Sequence, residues 1–126
     1  MTRIGIIGSA GRMGQALVEA IAAAREAHAG GVDKDGDVAA LAAACDVLVD
    51  FSSPAALEGN LDAAIAAGVP IVVGTTGLEE RHHWLCDHAA ESIPVLQTGN
   101  TSLGVTLLAH LVREAASRLG EDWDIE

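Results

Sequence analysis

Residues 3–14 read Arg3-Ile4-Gly5-Ile6-Ile7-Gly8-Ser9-Ala10-Gly11-Arg12-Met13-Gly14, a short apolar run that meets glycines at 8, 11 and 14. The chain then passes into Gln15-Ala16-Leu17-Val18-Glu19-Ala20, which is strong helix-forming sequence. Strand, glycine turn and helix in that order form the opening unit of a dinucleotide-binding fold. Glycine is needed for a different reason at each position. Gly8 lets the chain turn sharply out of the strand at backbone angles a Cβ would penalise. Gly11 allows a pyrophosphate to approach the main chain, and Gly14 lets the helix pack closely on the strand. The spacing is GxxGxxG, with Ala10 where the second glycine of the commoner GxGxxG falls. Alone, this stretch serves equally as a tight strand-to-helix turn in any parallel α/β protein.

Composition sets the outer bounds. At 126 residues there is room for one domain, whose core buries about two-thirds of the unfolded surface. Half the residues are apolar, yet Phe51, Trp84 and Trp123 are the only aromatics, so the core is expected to be aliphatic. The net charge of -11 argues against nucleic acid or an anionic membrane surface as a partner. A phosphate-bearing ligand must then be held locally, by backbone amides and one or two cations. No apolar run approaches the about 20 residues of a membrane span, and the start lacks a signal-peptide pattern. Cys45 and Cys86 form no CxxC pair and read as small core residues in a reducing compartment. These features together describe a cytoplasmic α/β domain.

Taken in order, the chain alternates between two periodicities. Strands are expected at 4–7, 28–32, 46–51, 69–74 and 93–97, the second of them weak because of Gly30 and Gly31. Helices are expected from the glycine turn to about Arg25, over 38–44, from Ser52-Ser53-Pro54 to a stop at Gly68, over 78–92 and over 102–119. Five strands alternating with helices predict an α/β, Rossmann-like, doubly wound parallel sheet in three α/β/α layers with right-handed crossovers.

That layout gives the polar loops a common address. Gly8–Met13, Asp33-Lys34, Phe51–Ser53, Gly74–Gly77 and Thr98–Thr101 all follow the carboxyl end of an expected strand. Ligands of parallel sheets bind there. Asp33 lies nineteen residues after Gly14, where a carboxylate can accept bonds from an adenosine ribose. Lys34 beside it suits a 2′-phosphate, although DKDGD is equally the composition of a solvated turn. Arg12, in the first turn of the helix, is placed to lie over adenine or phosphate. In Gly74-Thr75-Thr76-Gly77, two hydroxyl residues between glycines offer backbone and side-chain donors at close range. In the loop 97–102, Thr101 or Ser102 serves as a helix cap and Asn100 is the residue assigned to a ligand.

GSAGRMGQ, VDFSSP, VVGTTG and GNTSLGV, in this order and spacing, resemble the amino-terminal domain of the dihydrodipicolinate reductases. The resemblance covers essentially the whole chain. It implies NADH- or NADPH-dependent reduction of 4-hydroxy-tetrahydrodipicolinate in lysine and diaminopimelate synthesis. It further implies that Gly8, Ser9, Ala10, Gly11, Arg12 and Met13 hold the pyrophosphate and adenine side. Asp33 would take the ribose and Lys34 the 2′-phosphate. Phe51, Gly74, Thr75, Thr76, Thr98, Gly99, Asn100 and Thr101 complete the implied cofactor site, on its nicotinamide side. Family members carry Asn-Phe where this chain has Asn100-Thr101, so the aromatic near the nicotinamide is replaced.

The family's pattern continues beyond an Asp-Ile-Glu segment, matched by residues 124–126, into a substrate domain bearing the proton donor and the substrate-binding cation. The expected organisation is a dinucleotide-binding domain over 1–121 and the start of a connection at 122–126. On this reading no residue in the chain is catalytic. The cyclic dicarboxylate substrate engages only with the further domain, through which relatives also assemble as homo-oligomers. His28, His82, His83, His88 and His110 read as surface or half-buried positions, without metal-ligand spacing or a nucleophilic triad. The alternative reading is a stand-alone NAD(P)-binding or redox-sensing module.

Overall fold

A computed structural model describes residues 1–99 and 103–119. Five strands form one sheet: β1 (Arg3–Ile7), β2 (Ala27–Val32), β3 (Val47–Asp50), β4 (Ile71–Val73) and β5 (Val95–Gln97). All are parallel and the order is β2-β1-β3-β4-β5. The helices are α1 (Arg12–Ala23), α2 (Val38–Ala44), α3 (Leu57–Ala67), α4 (Glu80–Ala90) and α5 (Leu103–Leu119). The expected Rossmann-like, parallel α/β class is therefore the observed one.

The order dictates the layers. The chain steps from β1 to β2 in one direction, then from β2 back past β1 to β3, β4 and β5 in the other. Right-handed crossovers put α1 on one face and α2, α3 and α4 on the opposite face. The main core lies under the three helices, where Leu48, Leu57, Ile71 and Val73 are almost wholly buried together with Leu61, Cys45 and Cys86. Burial of each large aliphatic side chain is worth about 1.5–3 kcal/mol. On the other face Ile6 of β1 and Ile21 of α1 are buried. Burial pushes both cysteine thiols up from their ordinary range, as suits small core residues.

Local chemistry ends and starts these elements. Asp37 caps α2, its Oδ1 accepting from the Ala40 N–H at 3.0 Å. At the end of α3, Gly68 adopts a left-handed φ of 66° and Val69 N–H bonds back to Ala64 O, giving the stop expected there. The weak strand β2 forms despite its glycines because they are needed: a Cβ on Gly31 would lie 2.4 Å from Ser9 Cβ in the glycine turn.

Two expectations need correction. Ser53 and Pro54 do not open α3 directly, because Pro54–Ala56 form a 3-10 turn without a side-chain cap and α3 starts at Leu57. The Ser52 hydroxyl is turned to Asp50 instead. His82 is buried, not at the surface, since its Nδ1 accepts the Glu79 N–H at 2.9 Å in a capping box that starts α4. The exposed Trp84 stacks on His88, in keeping with the aliphatic core expected.

Helix α5 stands apart. It makes no extensive contact with the sheet or with another helix among the described residues. Its apolar side chains Val105, Leu107, Leu108, Leu111 and Val112 are all at least half exposed. No described helix is long and apolar enough to cross a membrane.

Candidate dinucleotide-binding site

The sheet order reverses between β1 and β3, which opens a crevice beyond their carboxyl ends. Gly8 turns the chain out of β1 at φ 86°, and a Cβ there would lie 2.3 Å from the Phe51 carbonyl oxygen. Gly14 is equally constrained, since its Cβ would sit 2.2 Å from Gly8 O. Both glycines are therefore explained by the fold. Gly11 is not. Its φ is -71°, and the nearest atom to a Cβ there is Gly8 O at 3.4 Å, an ordinary contact. It forms the N-cap of α1, with no side chain capping the helix. The free amides of that first turn make a partial positive charge.

The turn is held from β2. Asp33 accepts Ser9 Oγ–H on Oδ2 at 2.9 Å and Ala10 N–H on Oδ1 at 3.0 Å. Ser9 and Ala10 thus shape the site through Asp33 and do not line its cavities. The Asp33 carboxylate stays exposed, with acceptor capacity remaining on both oxygens. Arg12 and Lys34 are both exposed, and Lys34 lines the larger cavity of the crevice.

A second carboxylate works at the end of β3. Asp50 is fully buried, and its partners are all neutral donors. Oδ1 accepts Ser52 N–H at 3.0 Å and the Ser52 hydroxyl; Oδ2 accepts Asn60 Nδ2–H at 3.0 Å. Thr75 Oγ1 stands 3.4 Å from Asp50 Oδ1 and accepts Ser52 N–H at 3.2 Å. A buried carboxylate is tolerated when its lone pairs are satisfied in this way. Asp50 and Asn60 escaped the reading of the sequence. A signal for Asn60 existed, because it shares with Leu57, Leu61 and Ala64 the buried stripe of α3, where a polar residue is out of place.

The Phe51 ring divides the crevice. It packs on Gly74, where a Cβ would lie 2.3 Å from the ring, so Gly74 is required by Phe51. On one side a cavity of about 400 Å³ is lined by Gly8, Gly11, Asp33, Lys34, Phe51 and Asn60, among others. On the other a cavity of about 240 Å³ is lined by Met13, Phe51, Gly74, Thr75, Thr76, Thr98 and Gly99. The paired threonines divide their work. Thr75 is buried with its hydroxyl in the Asp50 cluster, whereas Thr76 is exposed toward the crevice mouth. Arg12 lines neither cavity. Asn100 and Thr101 lie outside the described residues. Among the described residues, no group of three or more His, Cys, Asp or Glu is placed to share a metal ion.

Fold and crevice together define a Rossmann-like α/β domain with a glycine-rich turn at its switch point. The family model described as dihydrodipicolinate reductase, N-terminus, matches residues 2–101, and the chain belongs to that family. The 4-hydroxy-tetrahydrodipicolinate reductase of Zymomonas mobilis is 50% identical over 98% of this chain and 52% of its own length. The enzyme of the same name from Alkaliphilus metalliredigens is 44% identical, covering 96% of this chain and 51% of its own. That from Rhizobium meliloti is 38% identical, covering 98% and 61%. The chain thus spans about half to three-fifths of the length of these curated relatives.

Proposed function

We propose that this chain supplies the cofactor-binding part of an NAD(P)H-dependent 4-hydroxy-tetrahydrodipicolinate reductase. The observation that carries the reading is Gly11. Neither backbone angle nor packing calls for glycine there, yet it sits at an uncapped helix start on the wall of a cavity of about 400 Å³. A pyrophosphate resting on those amides accounts for it. The remaining acceptor capacity of the exposed Asp33 carboxylate suits a ribose diol, and Lys34 suits a 2′-phosphate. The cavity beyond Phe51, with Thr76 at its mouth and Thr98 and Gly99 on its wall, suits the nicotinamide half, and Asn100 and Thr101 come next in the sequence.

The reduced nicotinamide, when bound, supplies a hydride. The residues of this chain bind the dinucleotide, orient its two ends and shield one side of it from water. The cyclic dicarboxylate would be held, and its proton supplied, by groups outside these residues. The exposed apolar side chains Leu107, Leu108, Leu111 and Val112 on α5 support a covering element beyond the sheet, and favour this reading over a stand-alone sensing module. On this reading the dinucleotide-binding unit spans residues 1–121, with 122–126 the start of a connection. A cytoplasmic setting and homo-oligomeric assembly of the whole enzyme belong to the same proposal.

Titration with NADPH, followed by thermal melting, tests the binding claim. A rise in melting temperature is expected, and no shift at millimolar cofactor overturns it. Ordinary reductase turnover by the 126-residue chain would overturn the assignment of substrate groups elsewhere.

A further inference from the structure

Two carboxylates lie at the strand ends of the crevice, and they hold different parts of it. Asp33 ties down Ser9 and Ala10, on the side of Gly11 and Lys34. Asp50, entirely beneath the surface, gathers Ser52, Asn60 and Thr75. Ser52 belongs to the loop after β3 and Thr75 to the loop after β4. Apart from the strand ladder, their cross-link is the Ser52 N–H to Thr75 Oγ1 bond of 3.2 Å, with the Thr75 hydroxyl set against Asp50. The same two loops carry Phe51 and Gly74, whose packing forms the wall of the smaller cavity.

We propose that Asp50 and Thr75 are positioning residues for the nicotinamide end of the cofactor, acting through the separation of these two loops, while Asp33 governs the adenosine end independently. This rests on the dinucleotide-binding reading above. Four neutral donors around one buried carboxylate leave little freedom for the Ser52 and Thr75 backbones. Removing the Thr75 hydroxyl leaves the Ser52 N–H and Asp50 Oδ1 each short of a partner, so the loops are free to part. The Asp33 bonds share no atom with this cluster, and Thr75 lines the smaller cavity and not the larger one, so the adenosine side keeps its own support when the Thr75 hydroxyl is lost.

The experiment compares NADPH with adenosine 2′,5′-bisphosphate, which keeps the phosphorylated ribose and lacks the nicotinamide. Both are titrated into the folded 126-residue chain by calorimetry. Thr75→Val, nearly isosteric, is expected to weaken NADPH about tenfold, the scale of one lost buried hydrogen bond, and to leave the fragment unchanged. Thr75→Ser, which keeps the hydroxyl, should recover most of the NADPH affinity. Asp33→Ala should weaken both ligands together. Parallel loss of both ligands in Thr75→Val, or loss of neither, overturns the positioning role while leaving the binding reading intact. Failure of the unsubstituted chain to bind either ligand overturns both. Should Thr75→Val not melt cooperatively, Thr75→Ala, which also removes the hydroxyl and leaves the Asp50 carboxylate in place, carries the same comparison with the same deciding outcomes.

Discussion

At the scale of single residues, the three glycines of the opening turn look alike on paper and differ in what demands them. Gly14 carries the helix against the turn, and a methyl group there would overlap Gly8 O at 2.2 Å. Gly14→Ala should therefore destabilise the fold by about 1–3 kcal/mol or more, read as a lower denaturation midpoint. Gly11→Ala should leave that midpoint nearly unchanged, because its Cβ meets nothing closer than 3.4 Å, yet weaken NADPH binding. Equal loss of stability in the two variants would contradict this division. The sequence spacing locates all three glycines but not their separate reasons, which depend on the atoms facing each one. The same holds for Thr75 and Thr76. They read as one hydroxyl pair, and only the packing of the loop sends one hydroxyl inward to Asp50 and leaves the other outside.

At the scale of elements, β1 and β3 are joined at their starts by a charge pair. Arg3 Nη2 meets Asp46 Oδ1 at 2.7 Å, and Arg3 N–H donates to Asp46 Oδ2 at 2.8 Å. The side-chain bond from Arg3, with its backbone N–H, holds the Asp46 carboxyl below its ordinary value of 3.8. A depressed carboxyl stabilises the fold above the ordinary value and loses that contribution as pH falls through the lower, folded one. Asp46→Asn should thus lower the melting temperature at neutral pH, with the gap closing once the pH drops well below 3.8. A gap that persists in acid would assign the effect to something other than charge. Deeper in the sheet, Leu48→Ala should cost about 2–5 kcal/mol, since Leu48 is wholly buried beneath α3. Element types were legible from periodicity throughout, even for β2. The start of α3 was not, because the Ser52 hydroxyl has two possible uses and the buried Asp50 captures it.

At the scale of the whole molecule, the order β2-β1-β3-β4-β5 places the glycine turn and the loops after β2, β3 and β4 around one crevice. The long helix α5 takes no part in that core. A chain ending after residue 102 should melt at the temperature of the full 126 residues, measured by circular dichroism. A clear drop would show that α5 supports the sheet.

The sequence by itself determined the alternation of strands and helices, the parallel class, the glycine turn and the loops of the site. Those follow from periodicity, from backbone restrictions and from spacing, all of which are local. Only the tertiary structure decided that Asp50 and Asn60 sit behind the crevice, that Phe51 splits it against Gly74, and that His82 is buried as a helix cap. It also decided that α5, helical as its pattern demands, makes no extensive contact with the sheet among the described residues. Burial and partner choice depend on residues far apart in the chain, such as Asp50 and Thr75, and become fixed only when the sheet brings their loops together.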